Sequence, residues 1–462
     1  MSNAFPASPP RASTPDAAAR PASRPLLGTL DIMALVVGIV IGAGIFSAPS
    51  LVAMHAGSPA AMMMAWIVGG MISVAGALCY AELASTYPHA GGDYHYLRRA
   101  FGARLSFLFA WARLTVIPTG SIALLGYIFG DYASQIVNLG PASPAIYAAA
   151  IIVVLTLVNV AGLSTGKWTQ NLLTALEVGG VVLIIAVGLL FAPEAAPAAP
   201  AAPAAPASGA ANWGLVLIFV MLTYGGWNEA AYISAEASGP GRTLPRALFW
   251  SLALITVLYL LVNLAYLNVL GQDGMGASSA VAADMMRRAL GEPGAQLIAL
   301  LIAISALTSA NATILTAART TYAFGQDTPA FSMLAKWHPQ WNTPVNALWV
   351  QAAISLALVA LGAFTRSGFA TMVEYTAPVF WLFFVLSGVA LFVLRRKDPG
   401  AHRPFRVPLY PLTPLLFIAT SGYLFYASLR HTGVGALVGV AVLGVGALLM
   451  LAQPRSGTPP AS

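Results

Sequence analysis

Charge is scarce in this chain of 462 residues, because only 8% of them are Asp, Glu, Lys or Arg. A soluble domain carries roughly 25%. Hydrophobic residues make up 58% of the chain, and the mean hydropathy is +0.78. So few charges cannot cover so much apolar surface in water. The composition therefore excludes a soluble enzyme and a nucleic-acid-binding protein, and it places most of the chain in a lipid bilayer.

Cysteine is almost absent, since Cys79 is the only one in the chain. This excludes an intrachain disulfide, and with it a disulfide-stapled secreted domain. The chain also lacks a G-x-x-x-x-G-K-[ST] phosphate loop, and its six His residues show no metal-ligand spacing. We therefore expect neither ATP-driven pumping nor a bound metal or cofactor.

Long apolar runs are what the chain does have. A helix that spans a bilayer needs about 20 apolar residues, and twelve runs of about that length or more are present. They predict an all-α membrane protein with twelve transmembrane helices. The runs lie near residues 29–55, 59–82, 103–135, 144–163, 168–192, 212–236, 246–270, 293–322, 344–364, 368–394, 411–429 and 434–452.

The basic residues agree with an even number of spans. If both termini are cytoplasmic, most of the 22 Lys and Arg residues lie on the cytoplasmic side. Arg113 then falls within a span, and the outside keeps only Arg287, Arg288, Arg366 and Arg430. This is the distribution that the positive-inside rule predicts. The net charge of +7 is therefore a topology signal, and its expected partner is the lipid bilayer with its anionic headgroups.

Two of the runs are interrupted by glycine. The first contains GIVIGAGIF, with Gly38, Gly42 and Gly44, and the sixth contains LTYGGWNE, with Gly225 and Gly226. Glycine costs about 1 kcal/mol relative to Ala inside a helix, so clustered glycines predict local unwinding. The alternative is that they only allow close helix packing.

Unwound backbone at membrane depth must face a cavity or a ligand, because lipid offers it no hydrogen bonds. Its free N–H groups suit a carboxylate, and its free carbonyls suit an ammonium group. The two clusters are five spans apart, and an odd-numbered repeat inverts the topology. Broken helices at matching places in two inverted halves point to the central site of a transporter.

Longer motifs resemble a known family. GIVIGAGIFSAPS with Asp31 upstream, followed by CYAELASTYPHAGGDYHYLRRAFG, resembles the amino acid–polyamine–organocation superfamily. YGGWNEAAYISAEASGPGRTLPRAL and ARTTYAFGQDTPAFSMLAKWHPQWNTPVNALW are similar to its L-type amino acid transporter branch. The resemblance implies two inverted five-helix repeats, helices 1–5 and 6–10, with helices 1 and 6 broken, plus two further helices. It also implies an amino acid substrate moved by alternating access.

On this resemblance the chain divides into four parts. Residues 28–394 form a transport core of ten helices, within which the Pro/Ala-rich stretch 193–210 is an external loop. Residues 395–453 form the last two helices and a basic cytoplasmic loop. Residues 1–27 and 454–462 are cytoplasmic tails. The N-terminal tail is expected to be disordered, because it cannot bury enough apolar surface. The protein is expected in the cell (inner) membrane, as a multi-pass protein.

The resemblance also assigns a substrate site at the two breaks. The backbone of the first break would bind the substrate carboxylate through Gly42, Ala43 and Gly44, with Ile45 beside them. The substrate amino group would be bound by the carbonyls of Val40, Leu222 and Gly225. The side-chain pocket would be shaped by Thr223, Tyr224, Gly226, Asn228 and Glu229. Trp227 is expected to pack against neighbouring helices instead.

The chain departs from the family pattern in three places. Leu222 stands where relatives often carry an aromatic gate, and Glu177 stands where many carry a Lys that replaces a sodium ion or carries a proton. Residues 136–143 lack the Cys of heavy-chain-dependent relatives, so no disulfide-linked heavy chain is expected. Glu177 is the candidate coupling residue, as a proton carrier or as a neutral hydrogen-bonded carboxyl. Oxygens of Ser305, Thr308 and Ser309 occupy the ion-binding region of sodium-coupled relatives, or they only join helices.

Several functional hypotheses remain open at this stage. Glu229 has three possible partners: a cationic substrate side chain, a proton, or Arg113 in an ion pair. We expect a secondary transporter of neutral L-amino acids that acts as a proton-coupled symporter or as an exchanger. A transporter of cationic amino acids or polyamines is the alternative. A channel would require rings of like groups and a sensor would require a soluble domain, and neither is apparent in the sequence.

Overall fold

The computed structural model describes residues 27–89, 91–162, 167–190, 211–341, 343–365, 367–431 and 433–452. The expected external loop at 193–210 and the two expected tails, except Leu27, lie outside these residues. Within them the chain is helical, and the β contacts are two isolated bridges, Leu27 with Ala237 and His338 with Thr343. The predicted all-α class is confirmed.

The described α-helices are numbered along the chain. They are α1 (Thr29–Val40), α2 (Ala48–His55), α3 (Pro59–Thr86), α4 (Gly92–Phe101), α5 (Ala103–Thr115), α6 (Ile117–Ala133), α7 (Ser143–Val160), α8 (Lys167–Leu190), α9 (Trp213–Thr223), α10 (Pro240–Ala277), α11 (Val281–Asp327), α12 (Val345–Ala363), α13 (Gly368–Lys397), α14 (Leu412–His431) and α15 (Val434–Ala452). Three 3₁₀ helices lie between them, at Ala43–Phe46, Trp227–Glu236 and Pro329–Ala335.

Many of these helices can cross a membrane. In the part of the chain that the structure describes, nine helical stretches are long and apolar enough to do so. Three shorter apolar helices accompany them, Thr29–Val40, Ala175–Leu190 and Trp213–Thr223. The helices Thr29–Val40 and Trp213–Thr223 end at the two glycine clusters. The chain is therefore a multi-pass membrane protein.

A buried aromatic cluster joins α3, α10 and the end of α9. The Trp66 ring on α3 lies 6.0 Å from that of Tyr224 and 5.5 Å from that of Tyr259. The Tyr224 hydroxyl donates a hydrogen bond of 2.9 Å to the Trp66 carbonyl. All three side chains are fully buried. Large aromatic contacts of this kind position the end of α9, where the second glycine cluster begins.

Glu82 forms the centre of a buried polar cluster near the end of α3. Its side chain is 2% exposed, and its two carboxylate oxygens accept hydrogen bonds of 2.7 and 2.6 Å from Arg395 on α13. The backbone N–H of Val407 donates to it at 2.6 Å, and Arg403 lies 3.8 Å away. This one carboxylate therefore joins the ends of α3 and α13 to the segment that leads into α14.

The substitution Glu82→Gln is expected to destabilise the protein strongly. Removing one partner of a buried ion pair costs about 3–5 kcal/mol, because the other charge stays buried without its counter-ion. The measurement is the apparent melting temperature of the purified protein in detergent, which should fall by several degrees. The matched control is Arg99→Gln, because the pair that Arg99 forms with Asp398 is 45% and 39% exposed and such pairs contribute about 0–1 kcal/mol. Equal losses in the two variants would contradict this reasoning.

Candidate substrate site

The first membrane helix is interrupted at its glycine cluster. Helix α1 ends at Val40, Gly42 is extended with φ −92° and ψ −176°, and a 3₁₀ turn over Ala43–Phe46 follows before α2. Gly38 lies inside α1 and takes no part in the interruption. The N–H groups that open a helical turn have no acceptor within that turn. The break therefore presents the backbone N–H groups of Gly42, Ala43 and Gly44.

The far side of this break is anchored to other helices. The Phe46 carbonyl accepts a 2.5 Å hydrogen bond from the Tyr132 hydroxyl on α6. The N–H of Ser47 donates to the Gly44 carbonyl at 3.1 Å, and the Ile45 side chain is fully buried. These contacts hold the turn in place, so its free N–H groups have a defined position.

The second interruption follows α9. Gly226 has φ +108°, in the left-handed region that side chains other than glycine rarely adopt. A Cβ atom added to it would lie 2.7 Å from Cγ2 of Ile39. A 3₁₀ helix over Trp227–Glu236 then continues the chain. The Leu222 carbonyl accepts a 3.0 Å hydrogen bond from the Gly225 N–H. Both the conformation and the close approach require glycine at position 226.

The two breaks contact each other. Gly226 approaches Ile39 in the last turn of α1, and a Cβ on Gly44 would meet Cγ2 of Thr223 at 3.7 Å. The backbone ends of α1 and α9 therefore lie side by side.

One hydroxyl joins the two helix ends. The Tyr259 Oη on α10 lies 2.7 Å from the Val40 carbonyl and 3.1 Å from the Thr223 carbonyl. It has a single proton and therefore donates to one carbonyl at a time. Sequence reasoning missed Tyr259. Its only signal was a polar hydroxyl within an apolar span, where such a group needs a partner.

The other predicted pocket residues take different positions. Thr223 is buried and its hydroxyl donates to the Phe219 carbonyl of its own helix at 2.7 Å. Tyr224 belongs to the aromatic cluster with Trp66 and Tyr259. Leu222 is half-buried. Trp227 packs against Tyr80, Phe384 and Phe417, as expected of a packing residue.

A cavity of about 310 Å³, counting its open mouth, lies beside the second break. Asn228 and Glu229 contribute to its wall, together with the acidic and basic side chains Asp93 and Arg113. The remaining wall is largely aromatic and is formed by Tyr80, Phe109, Ile117, Phe380, Phe383 and Phe384. An aromatic wall with a few polar groups is typical of small-molecule sites.

Glu229 forms an ion pair with Arg113. Its Oε1 lies 3.6 Å from Nη1 of Arg113, and the two side chains are 39% and 15% exposed. Nη1 also donates to the Tyr232 hydroxyl at 3.1 Å. Among the three partners that the sequence left open for Glu229, the described side chains provide this one.

Asp93 on α4 extends this polar network. Its oxygens accept hydrogen bonds from Ser387 at 2.8 Å and from Tyr232 at 3.5 Å. Burial raises the pKa of the Asp93 carboxyl to about 6. Sequence reasoning missed Asp93, although its motif PHAGGDYHY was noted, because an Asp in a connecting segment gives no sign of burial.

The predicted coupling residues separate into two groups. Glu177 on α8 is buried, and it accepts a hydrogen bond from the Ser305 hydroxyl on α11. Thr308 donates to the Ile304 carbonyl of its own helix at 2.9 Å, and the Ser309 carbonyl accepts from Thr313 at 2.8 Å. The structure therefore brings Glu177 and Ser305 together, and it places Thr308 and Ser309 in bonds within α11.

An all-helical multi-pass protein with two apposed helix breaks has the architecture of a secondary transporter. The sequence profile described as amino acid permease matches residues 27–448, so the chain belongs to this family. It is an amino acid transporter of the amino acid–polyamine–organocation superfamily and not an enzyme.

Its relatives include mammalian and bacterial transporters. The chain is 31% identical to the b(0,+)-type amino acid transporter 1 of Mus musculus, over 87% of this chain and 82% of that protein. It is 28% identical to the serine/threonine exchanger SteT of Bacillus subtilis, over 91% of this chain and 95% of SteT. It is 30% identical to the large neutral amino acids transporter small subunit 2 of Homo sapiens, over 91% and 78% of the two chains. The L-type branch expected from the motifs is confirmed.

The substitution Gly226→Ala is expected to abolish amino acid transport. A left-handed conformation costs a residue with a Cβ about 1–2 kcal/mol, and the contact with Ile39 forces the second break away from the first. The measurement is uptake of radiolabelled serine and leucine by reconstituted proteoliposomes. The matched control is Gly422→Ala on α14, where an added Cβ meets no atom within 4 Å. Normal uptake by the Gly226 variant would contradict the assignment of the break.

Proposed function

We propose that this protein moves neutral L-amino acids across the cell membrane by alternating access, as an exchanger or a proton-coupled symporter. The observation that carries the proposal is the apposition of the two helix breaks, held by the Tyr259 hydroxyl between the Val40 and Thr223 carbonyls. The substrate's charged ends would dock between them. The helices that carry the breaks would then rock against the rest and open to each side in turn.

The two breaks suit the two ends of a zwitterion. The N–H groups of Gly42, Ala43 and Gly44 open a turn and would donate to the carboxylate. The Leu222 and Gly225 carbonyls would accept from the amino group. Val40 would contribute as well, since its carbonyl has a second lone pair beside the one that Tyr259 occupies. Ile45 would support the turn from its buried position.

The surrounding architecture would be twelve spans. Helices 1–5 and 6–10 would form two inverted five-helix repeats, and two further helices would follow them. The nine long apolar stretches and three shorter ones found in the described residues are consistent with this arrangement. The transport core would cover residues 28–394, and the last two helices, with their basic loop, residues 395–453. Both termini would lie in the cytoplasm, because that orientation puts most of the Lys and Arg residues inside.

The ion pair between Glu229 and Arg113 favours a substrate with a neutral side chain. The Arg113 guanidinium lies 3.6 Å from the Glu229 carboxylate, so a cationic substrate would have to compete with it. Two relatives are named for neutral substrates, serine/threonine and large neutral amino acids. The cationic alternative is favoured by one observation: among the described residues that line the cavity, two carboxyls, Asp93 and Glu229, face one guanidinium.

A disulfide-linked heavy chain would not be part of this transporter. One relative is named as a small subunit, but the only cysteine here, Cys79, is fully buried within α3. A buried thiol cannot reach a partner's cysteine without opening the helix packing. The partners would therefore be the amino acid and the lipid bilayer.

The direct test is uptake by proteoliposomes of radiolabelled leucine, serine and lysine. We expect saturable uptake that excess unlabelled amino acid inhibits, with leucine or serine favoured over lysine. Proteoliposomes that contain the Gly44→Trp variant should take up no amino acid. A side chain at position 44 would fill the space against Thr223, whose Cγ2 lies 3.7 Å from the Cβ position.

The matched control is Gly444→Trp, an exposed position on α15 where a Cβ meets no atom within 4 Å. Both variants are first checked for a single species and a normal melting temperature. Flux that fails to saturate would favour a channel, and normal uptake by the Gly44 variant would refute the site. Preferred uptake of lysine would replace the neutral substrate class by the cationic one.

Glu177 is our candidate for the proton carrier. Its carboxyl is buried and bonded to Ser305 across the interface between α8 and α11, and a carboxyl at this depth can exchange a proton when the helices move. Ser305 would hold the carboxyl in place. Thr308 would contribute only if its hydroxyl leaves the Ile304 carbonyl, and Ser309 would contribute through its hydroxyl, because its bond within α11 involves the backbone carbonyl.

The variant Glu177→Gln is expected to lose accumulation driven by a pH gradient while exchange of internal for external amino acid continues. The amide keeps an oxygen that can accept from Ser305 but cannot carry a proton. The measurement compares both modes in the same proteoliposomes, with Glu374→Gln as the control for loss of another carboxyl in a span. Unchanged pH dependence in the Glu177 variant would remove it from the coupling mechanism.

A further inference from the structure

One exposed face of α10 combines two arginines with a stripe of apolar side chains. Arg242 and Arg246, near the start of the helix, are exposed. Phe249 and Trp250 follow, 44% and 58% exposed, with their rings 5.4 Å apart. At about 100° per residue these four positions lie within roughly 100° of one another. They therefore form a single surface, which we call the α10 face.

The apolar part of this face continues towards the middle of the bilayer. Val257 is 53% exposed and Leu264 45% exposed, and both fall within the same arc. Leu254, 45% exposed, lies at its edge. From Arg242 to Trp250 the helix rises about 12 Å. That distance matches a step from a headgroup layer to the first acyl carbons, where Trp is enriched in membrane proteins.

The two guanidinium groups have no ion pair or hydrogen bond within the set of side chains that the structure describes. Asp31 lies on α1, which packs against α10, and its carboxylate accepts a 2.8 Å hydrogen bond from the Gly28 N–H at the start of its own helix. Two like charges one turn apart repel each other, so they favour a shared anion.

The start of α10 is anchored, which fixes the backbone that carries the two arginines. The Thr243 hydroxyl donates to the Ser238 carbonyl at 2.5 Å, and the Ser238 N–H donates to the Leu27 carbonyl at 2.9 Å. Gly241 packs against Pro404, whose carbonyl carbon lies 2.9 Å from the Cβ position of that glycine. The α10 face is therefore a pre-formed surface.

We propose that the α10 face binds one anionic phospholipid of the cytoplasmic leaflet, with its phosphate between Arg242 and Arg246 and an acyl chain along Trp250 and Val257. The occupant is a lipid because the two arginines and the apolar stripe are continuous on one helix face. A soluble anion would contact the arginines but not the apolar stripe. The same helix carries Tyr259, which joins the two breaks, so the lipid would fix the helix on which the substrate site depends.

The test titrates purified protein in detergent with phosphatidylglycerol or phosphatidylcholine and counts bound lipid by native mass spectrometry. We expect one phosphatidylglycerol to bind in preference to phosphatidylcholine. Loss of both arginines in Arg242→Gln/Arg246→Gln should weaken its binding roughly 30-fold, since each basic residue near an anionic headgroup contributes about a fivefold effect. The substitution Trp250→Ala should weaken the binding of both lipids and leave the preference for phosphatidylglycerol unchanged.

The matched control is Arg104→Gln/Arg396→Gln, which removes the same charge from two exposed arginines on α5 and α13. All four arginines are exposed, so melting temperatures without lipid should equal that of the unmodified protein. Equal weakening in the two double variants, or unchanged binding in the first, would overturn the proposal. Displacement of the lipid by inorganic phosphate at millimolar concentration would also overturn it, because the site would then recognise a free anion.

Discussion

Every peptide group at membrane depth needs a hydrogen-bond partner, and this constraint governs the arrangement of the helices around the two breaks. A helix satisfies its own backbone, so an interruption in lipid would leave several groups unpaired at a cost of several kcal/mol each. In this protein the interruptions after Val40 and Thr223 face each other and share the Tyr259 hydroxyl. What remains without a partner in the first break, among the described groups, is a short row of N–H groups, and in the binding mode that we propose a zwitterion completes it. The same physical requirement explains why the helices break together.

Charge in the interior follows the same logic. Glu229 pairs with Arg113, Glu82 with Arg395, and Glu177 with a hydroxyl. The first lies at the cavity beside the second break. The second is nearly inaccessible and joins helix ends, so its role is structural. The chemical surroundings of the three carboxyls therefore differ, and we propose that Glu229 serves substrate recognition and Glu177 coupling.

The local features of this architecture were predictable from the sequence. Apolar runs indicated the all-α class, and glycine clusters indicated the positions of both breaks, because the cost of glycine in a helix is a local property of its own backbone. The long-range contacts were not predictable. Tyr259 reaches a carbonyl 219 residues away, and Arg395 reaches a carboxylate 313 residues away. Tyr224 was expected to shape the side-chain pocket, but it packs with Trp66 from α3. Nothing in the motif itself indicates which way that ring turns.

A cryo-electron microscopy structure of the protein bound to its best-transported amino acid would show directly whether the substrate lies between the two breaks. We expect the carboxylate within hydrogen-bond distance, about 3 Å, of the N–H groups of Gly42 and Gly44. We expect the amino group to face the Leu222 and Gly225 carbonyls. An amino acid bound elsewhere, with the space between the two breaks empty or closed by continuous helices, would contradict the proposed site.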